Sequence, residues 1–96
     1  MRSIYNKWLD SYELAYDEPA AVNRIACPSC GQLCLNLLFI VESGADVRGT
    51  SAYWCGVCLR GLPPNRTLIP QGGLVVERGN EIVPNYTLVI DDGREG

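Results

Sequence analysis

Cys27 and Cys30, in C-P-S-C-G, and Cys55 and Cys58, in C-G-V-C, form two cysteine pairs of identical spacing with twenty-four residues between them. Four thiolates presented this way can converge on one tetrahedral ion, which is how a short chain makes a structural zinc site. Each C-x-x-C forms a tight turn whose backbone N–H groups can point at the sulfurs and offset their charge. Pro28 presets the first turn, and Gly31 permits the backbone conformation that follows the second ligand. The spacer has the length of a two-stranded hairpin that returns the second pair to the first.

Chemistry at such a metal is disfavoured. The chain has no His, so the commonest general base and the usual ligand of catalytic zinc are both missing. Four cysteines would close the coordination sphere and leave no position for water. Gly72-Gly73 is too short for a phosphate-cradling loop and lacks a following Lys-Ser/Thr. Asp91-Asp92 lies in a polar tail, 91–96, that is expected to fray. The expectation is a protein that is not an enzyme.

The elements that must hold the cysteines can be read from periodicity. Ile4, Tyr5, Trp8, Leu9, Tyr12, Ala15 and Tyr16 recur at three- and four-residue steps, predicting an amphipathic helix over 3–17. Ser3 suits its cap, and Pro19 stops it. This aromatic stripe either covers the sheet or offers Trp8 and Tyr12 as anchors to a partner protein. Arg24 to Ala26 reads as a short strand. Residues 33–42 read as a strand with Leu33, Leu35, Leu37, Phe39 and Val41 on one face and Cys34, Asn36, Leu38 and Ile40 on the other. Being apolar on both faces, it should be solvated on neither.

Ser43 to Gly49 forms the turn, with Asp46 and Arg48 at its tip, either simply solvated or joining Trp8 and Tyr12 as contacts to a partner, and Thr50 to Trp54 returns as a second strand. Pro63-Pro64-Asn65 is expected to bend the chain before a third strand over Thr67 to Ile69. Leu74 to Val76, Ile82-Val83 and Tyr86 to Ile90 are added strand candidates, with a tight turn at Gly79-Asn80. Cys34, the odd fifth cysteine, reads as a buried, inert thiol among apolar neighbours, with a spare ligand or a redox thiol as the other readings.

C-P-S-C-G, a strand, a turn, Tyr53-Trp54 and C-G-V-C together resemble the four-cysteine zinc-ribbon superfamily over roughly residues 24–70. The resemblance implies that Cys27, Cys30, Cys55 and Cys58 ligate one structural Zn²⁺. It also implies a fold class: a small β-dominated zinc ribbon with a three-stranded antiparallel sheet and two zinc knuckles. Here an N-terminal α-helix and C-terminal β-strands over 71–90 would be added to make a single domain. Rubredoxins share the two knuckles but usually carry Gly after each second cysteine, whereas Leu59 follows Cys58, so zinc is expected rather than iron. Transcript-cleavage factors resembling this ribbon place two adjacent acids at the hairpin tip. Here Val47 follows Asp46, so that activity is not carried over.

Composition supplies the rest. Apolar residues make up 47% of the 96, enough for a folded domain and too many for a disordered one. With no signal-peptide h-region and no apolar run of membrane-spanning length, a cytoplasmic protein with reduced thiols is expected. The two N-x-T sequences, at Asn65 and Asn85, then read as chance. Net charge is −3, with a locally basic middle carrying Arg24, Arg48, Arg60 and Arg66 between acidic ends. Phosphate neutralisation dominates nucleic-acid affinity, so this balance favours a protein partner, a basic one included. The function expected is a zinc-binding module that docks on or regulates a polymerase, an effector enzyme or a toxin. The alternative is nucleic-acid binding through those arginines, with Tyr53 or Trp54 as a stacking platform.

Overall fold

The structure, a computed structural model, describes residues 3–90. Three strands, β1 (Leu35–Val41), β2 (Arg48–Cys55) and β3 (Arg60–Leu68), form an antiparallel meander at its centre. The β1–β2 hairpin pairs Leu35 with Cys55 and Ile40 with Thr50. The alternation expected for β1 holds from Leu35 onward: Leu35, Leu37, Phe39 and Val41 are buried, Asn36 is exposed, and Leu38 and Ile40 are half-buried. It does not reach Leu33 and Cys34, which precede the strand and are both exposed. Reading Cys34 as a buried thiol is therefore wrong: it precedes the strand, and by alternation it falls on the face of the exposed Asn36 rather than that of the buried Leu35 and Leu37.

The third strand is longer than expected. Pro63 and Pro64 do not end it; the β2–β3 register shifts between Ser51 and Tyr53, where the prolines stand. A bulge absorbs the two missing N–H donors and lets pairing resume at Asn65. Gly61, opposite Trp54, has a different constraint. A Cβ there would lie 2.2 Å from the Tyr53 carbonyl oxygen and 2.7 Å from the Tyr86 ring, so only a hydrogen fits between sheet and ring.

Two short strands, β4 (Val75–Glu77) and β5 (Thr87–Leu88), add in parallel at the edges and give the order β4-β1-β2-β3-β5. The sheet is thus five-stranded and mixed, not three-stranded and wholly antiparallel. This order forces residues 78–86 to cross the sheet. They start beyond Glu77, opposite Val41, and finish at Thr87, opposite Arg60 at the other end of the far edge. Four strand spacings amount to about 19 Å before any displacement along the strands. Residues 78–86 reach about 30 Å when extended, so the crossing leaves no slack for a hairpin. The expected turn is present, with the Asn80 N–H donating to the Glu77 carbonyl at 3.0 Å. Ile82-Val83, expected as a strand, instead runs over the sheet unpaired.

The helix α1 (Ile4–Asp17) matches its expected span; the Ser3 hydroxyl accepts from the Asn6 N–H at 3.1 Å, and Pro19 opens a short 3-10 helix, Pro19–Arg24. The strand expected at Arg24 to Ala26 does not form: Arg24 ends that 3-10 helix, and Ile25 and Ala26 belong to no regular element. Trp8, Ser11 and Ala15, on one side of α1, are buried. Trp8 and Ala15 pack with Leu35, Leu37, Phe39, Tyr53, Cys55 and Leu62 in the hydrophobic core. No described helix is long and apolar enough to cross a membrane. The tail at 91–96, including Asp91-Asp92, lies outside the described residues.

Candidate metal centre

The two C-x-x-C turns have matching backbones. In the first, the Gly31 N–H donates to the Cys27 carbonyl at 2.8 Å; in the second, the Leu59 N–H donates to the Cys55 carbonyl at 3.0 Å. The residue after each second cysteine is left-handed, Gly31 at φ 80° and Leu59 at φ 53°. Glycine adopts this conformation freely, whereas for leucine it costs on the order of 1 kcal/mol and must be held by its surroundings. Sequence alone treats Leu59 as a departure from the pattern; the backbone shows the same turn drawn twice.

β2 ends at Cys55, and the turn that follows leads into β3. The first turn is brought alongside by the start of β1, where the Gly56 N–H donates to the Cys34 carbonyl at 2.8 Å. Cys34 thus joins the second turn to β1 through its backbone, while its thiol faces outward. Trp8 supplies the other support: its indole Nε1–H donates to Ser29 Oγ at 3.0 Å, tying the helix to the first turn. Ser11 Oγ donates to the Trp8 carbonyl at 2.8 Å and accepts from the Tyr53 hydroxyl at 2.9 Å. Sequence reasoning missed Ser29 and Ser11. The one available signal was a serine at position 11 within an otherwise apolar helical stripe.

The sulfurs of Cys27, Cys30, Cys55 and Cys58 all lie within 4.8 Å of one another. Cys27 and Cys58 are 3.7 Å apart, and Cys30 and Cys55 are 3.6 Å apart. A tetrahedron with metal–sulfur bonds of about 2.3 Å has edges of about 3.8 Å. A disulfide requires about 2.05 Å, so these distances suit four ligands of one ion and not two bridges.

Backbone amides reach the sulfurs as well. The Ser29 and Cys30 N–H groups donate to Cys27 Sγ at 3.3 and 3.4 Å, and the Val57 N–H donates to Cys55 Sγ at 3.4 Å. As four thiols the cluster is electrostatically uneven. Burial raises Cys27, and burial together with the neighbouring sulfurs pushes Cys58 up to about 12. Burial also pushes Cys55 up, but the amides of Cys58 and Val57 and the adjacent thiols outweigh it and leave that thiol at about 7. Four thiolates cannot be held this close without compensating positive charge, and a divalent cation would supply it. The cluster is positioned to hold a metal ion and is compatible with one structural zinc.

The other singled-out residues lie elsewhere. Trp8 is completely buried and belongs to the core, so it offers no ring to a partner. Tyr12 is half-buried, its ring edge-on to Tyr53 at 5.5 Å. Asp46 is no free carboxylate at a solvated tip; its Oδ2 accepts from the Glu42 and Ser43 N–H groups at 3.1 and 3.0 Å and closes the hairpin turn. Arg48 opens β2 and is exposed. Tyr53 and Trp54 are buried, and Tyr86 stacks over Trp54 at 5.9 Å, so neither ring can receive a base.

Comparison of the chain with protein-family models, curated proteins and solved structures returns no match.

Proposed function

We propose that this chain is a zinc-stabilised, non-enzymatic module that docks on another protein. The observation that supports this reading is the contrast between the four-cysteine cluster and the surface around it. Its four sulfurs fill a tetrahedral ion's coordination. Yet Val57 and Leu59 of the second turn, and Leu88 of β5 beside them, expose apolar side chains. β5 is joined to that turn by the Thr87 N–H, which donates to the Leu59 carbonyl at 2.9 Å. Apolar residues grouped on a rigid support suit protein contact better than chemistry.

Zinc is the metal that four thiolates in a tetrahedron select in the reducing cytoplasm proposed for this protein. The resemblance to zinc ribbons supports the same assignment. The acidic chain suits a basic partner such as a polymerase, an effector enzyme or a toxin.

Nucleic-acid recognition is less well supported. Its expected stacking rings are covered, and its arginines do not form one patch. Arg48 and Arg66 stand near the hairpin end of the sheet, whereas Arg60 opens β3 at the cysteine end, about 20 Å along the strand from Arg66. Affinity capture with the zinc-loaded chain in expressing cells, followed by chemical cross-linking at physiological salt, tests the choice. A specific cross-linked protein is the expected result. Recovery of nucleic acid alone, with binding that falls steeply as salt rises, would overturn it.

A further inference from the structure

The outer edge of β3 is open near the hairpin end. β5 pairs with β3 only at Arg60 and Gly61. Farther along, the Ile69 N–H donates to the Val47 carbonyl at 3.0 Å, in the same register that sets Arg48 opposite Leu68 and Gly49 opposite Thr67. Hydrogen-bonded and non-bonded pairs alternate in an antiparallel ladder, so Asn65 and Thr67 turn their backbone groups to β2, and Arg66 and Leu68 turn theirs outward. The Tyr16 hydroxyl donates to the Leu68 carbonyl. The Arg66 N–H and C=O and the Leu68 N–H have no backbone partner among the described residues. They are also within reach of solvent: Pro64, Asn65 and Arg66 are exposed, and Leu68 is 50% exposed.

The two sides of this edge carry opposite charge. On the helix side, Glu13 and Asp17, with Tyr12, Tyr16, Asn65 and Thr67, line a groove of about 370 Å³. On the other side stand Arg66 and, diagonally across on β2, Arg48, since cross-strand partners share a face and successive residues alternate between faces. All four charged residues are exposed, and none of them forms an ion pair among the described residues.

We infer that this edge is a strand-addition site for an extended partner segment whose side chains are basic on one face and acidic on the other. This rests on the docking-module reading and names a contact for it. An occupant would bond to the Arg66 N–H and C=O and to the Leu68 N–H. Strand alternation then sends its Lys or Arg side chains toward Glu13 and Asp17, and its Asp or Glu side chains toward Arg66 and Arg48. A helix cannot satisfy those groups, because its own backbone is already paired. A second copy pairing across a two-fold axis would set Arg66 near its counterpart, and Glu13 and Asp17 near theirs. Prolines and charges on an edge guard against indiscriminate pairing, and the charges that repel a like edge favour a complementary one.

Two eight-residue peptides test this by NMR titration of the zinc-loaded full chain. In one, Lys and Glu alternate; in the other, the same residues run in consecutive like pairs, so that each face of the strand is mixed. The alternating peptide should shift the Arg66 and Leu68 amides and bind about tenfold or more tightly than the other, by a margin that narrows as salt rises. Arg66→Glu, or Glu13→Lys with Asp17→Lys, should weaken it by about tenfold, while Arg60→Glu at the cysteine end changes nothing. By hydrogen exchange the Arg66 amide should exchange fast in the free protein, unlike that of Thr67, and become protected when the alternating peptide binds. Equal binding of the two peptides, indifference to the charge reversals, or an Arg66 amide unchanged by peptide would overturn the site. So would an Arg66 amide protected in the free protein only at high concentration, which would put a second copy on the edge. A cellular partner whose cross-linking survives both charge reversals would remove this site and leave the module reading intact, whereas peptide binding at the edge without any cellular protein partner would do the reverse.

Discussion

The two faces of the sheet are covered by unlike structures. On one lies α1, a regular helix of 14 residues whose Trp8 and Ala15 are completely buried and whose Ser11 links the Trp8 backbone to Tyr53. On the other lies the crossing segment 78–86, which has no repeating hydrogen bonds. Its main purchase is Tyr86, which stacks on Trp54 and donates its hydroxyl proton to the Leu62 carbonyl at 2.8 Å. The helix face builds a core and holds the first cysteine turn through Ser29. The crossing segment completes a topology and leaves Ile82, Leu74 and Leu88 at the surface. Stability therefore concentrates on the helix side, and capacity for contact on the other side and at the edges.

The largest effect should come from a change that spares neither face. Cys55→Ser, or a strong chelator, should unfold the chain cooperatively, since structural zinc contributes on the order of 10 kcal/mol to such domains. Circular dichroism and Trp fluorescence should then lose helix and sheet together; loss of sheet alone would show that α1 stands independently. Next, Trp8→Ala should cost about 3–5 kcal/mol in urea unfolding of the zinc-loaded protein. Tyr86→Ala, on the opposite face, should cost about 1–2 kcal/mol, and equal costs would break the comparison.

Tyr53 allows a finer test through pH. Burial on the helix face raises its hydroxyl to about 12, against a usual value of about 10 for an unfolded tyrosine. The folded pKa is the higher one, so this contribution to stability is fully present below pH 10 and is lost as pH rises through about 12. Tyr53→Phe should flatten the fall in stability across that window. An unchanged slope would mean the hydroxyl is not buried on Ser11. The smallest effect belongs to Tyr12, whose hydroxyl is buried with no hydrogen-bond partner of good geometry among the described residues, while Ser51 beside it donates to the Asn65 carbonyl. Tyr12→Phe should shift the urea midpoint little, and upward if at all, because it removes an unsatisfied group.

Much of this division can be read in the residues. The helix follows from Ile4, Trp8, Tyr12 and Ala15 together with the Ser3 cap, and the β1–β2 hairpin from alternation and the spacing of the cysteines. These are local periodicities, and local physics dictates them. The four ligands are legible for the same reason, since identical turns need only a short stretch of chain each. The parallel edges are not legible. Whether Val75 and Val76 pair with β1 or with Ile82-Val83 depends on contacts far apart in sequence, and a Gly79-Asn80 turn fits either outcome. Pro63-Pro64 misleads because a bulge, set by the partner strand, rescues a segment that would end in isolation. Asp46 misleads because a carboxylate in a hairpin turn looks free until the amides of Glu42 and Ser43 are seen to point at it.

The claim on which everything else rests is that Cys27, Cys30, Cys55 and Cys58 hold one zinc and thereby join the helix side of the sheet to the rest. X-ray absorption at the zinc edge, with native mass spectrometry of the same preparation, addresses it most directly. One zinc per chain with four sulfur neighbours at about 2.3 Å is the predicted result. A fully folded chain that carries no metal, or a metal with fewer than four sulfur ligands, would contradict it.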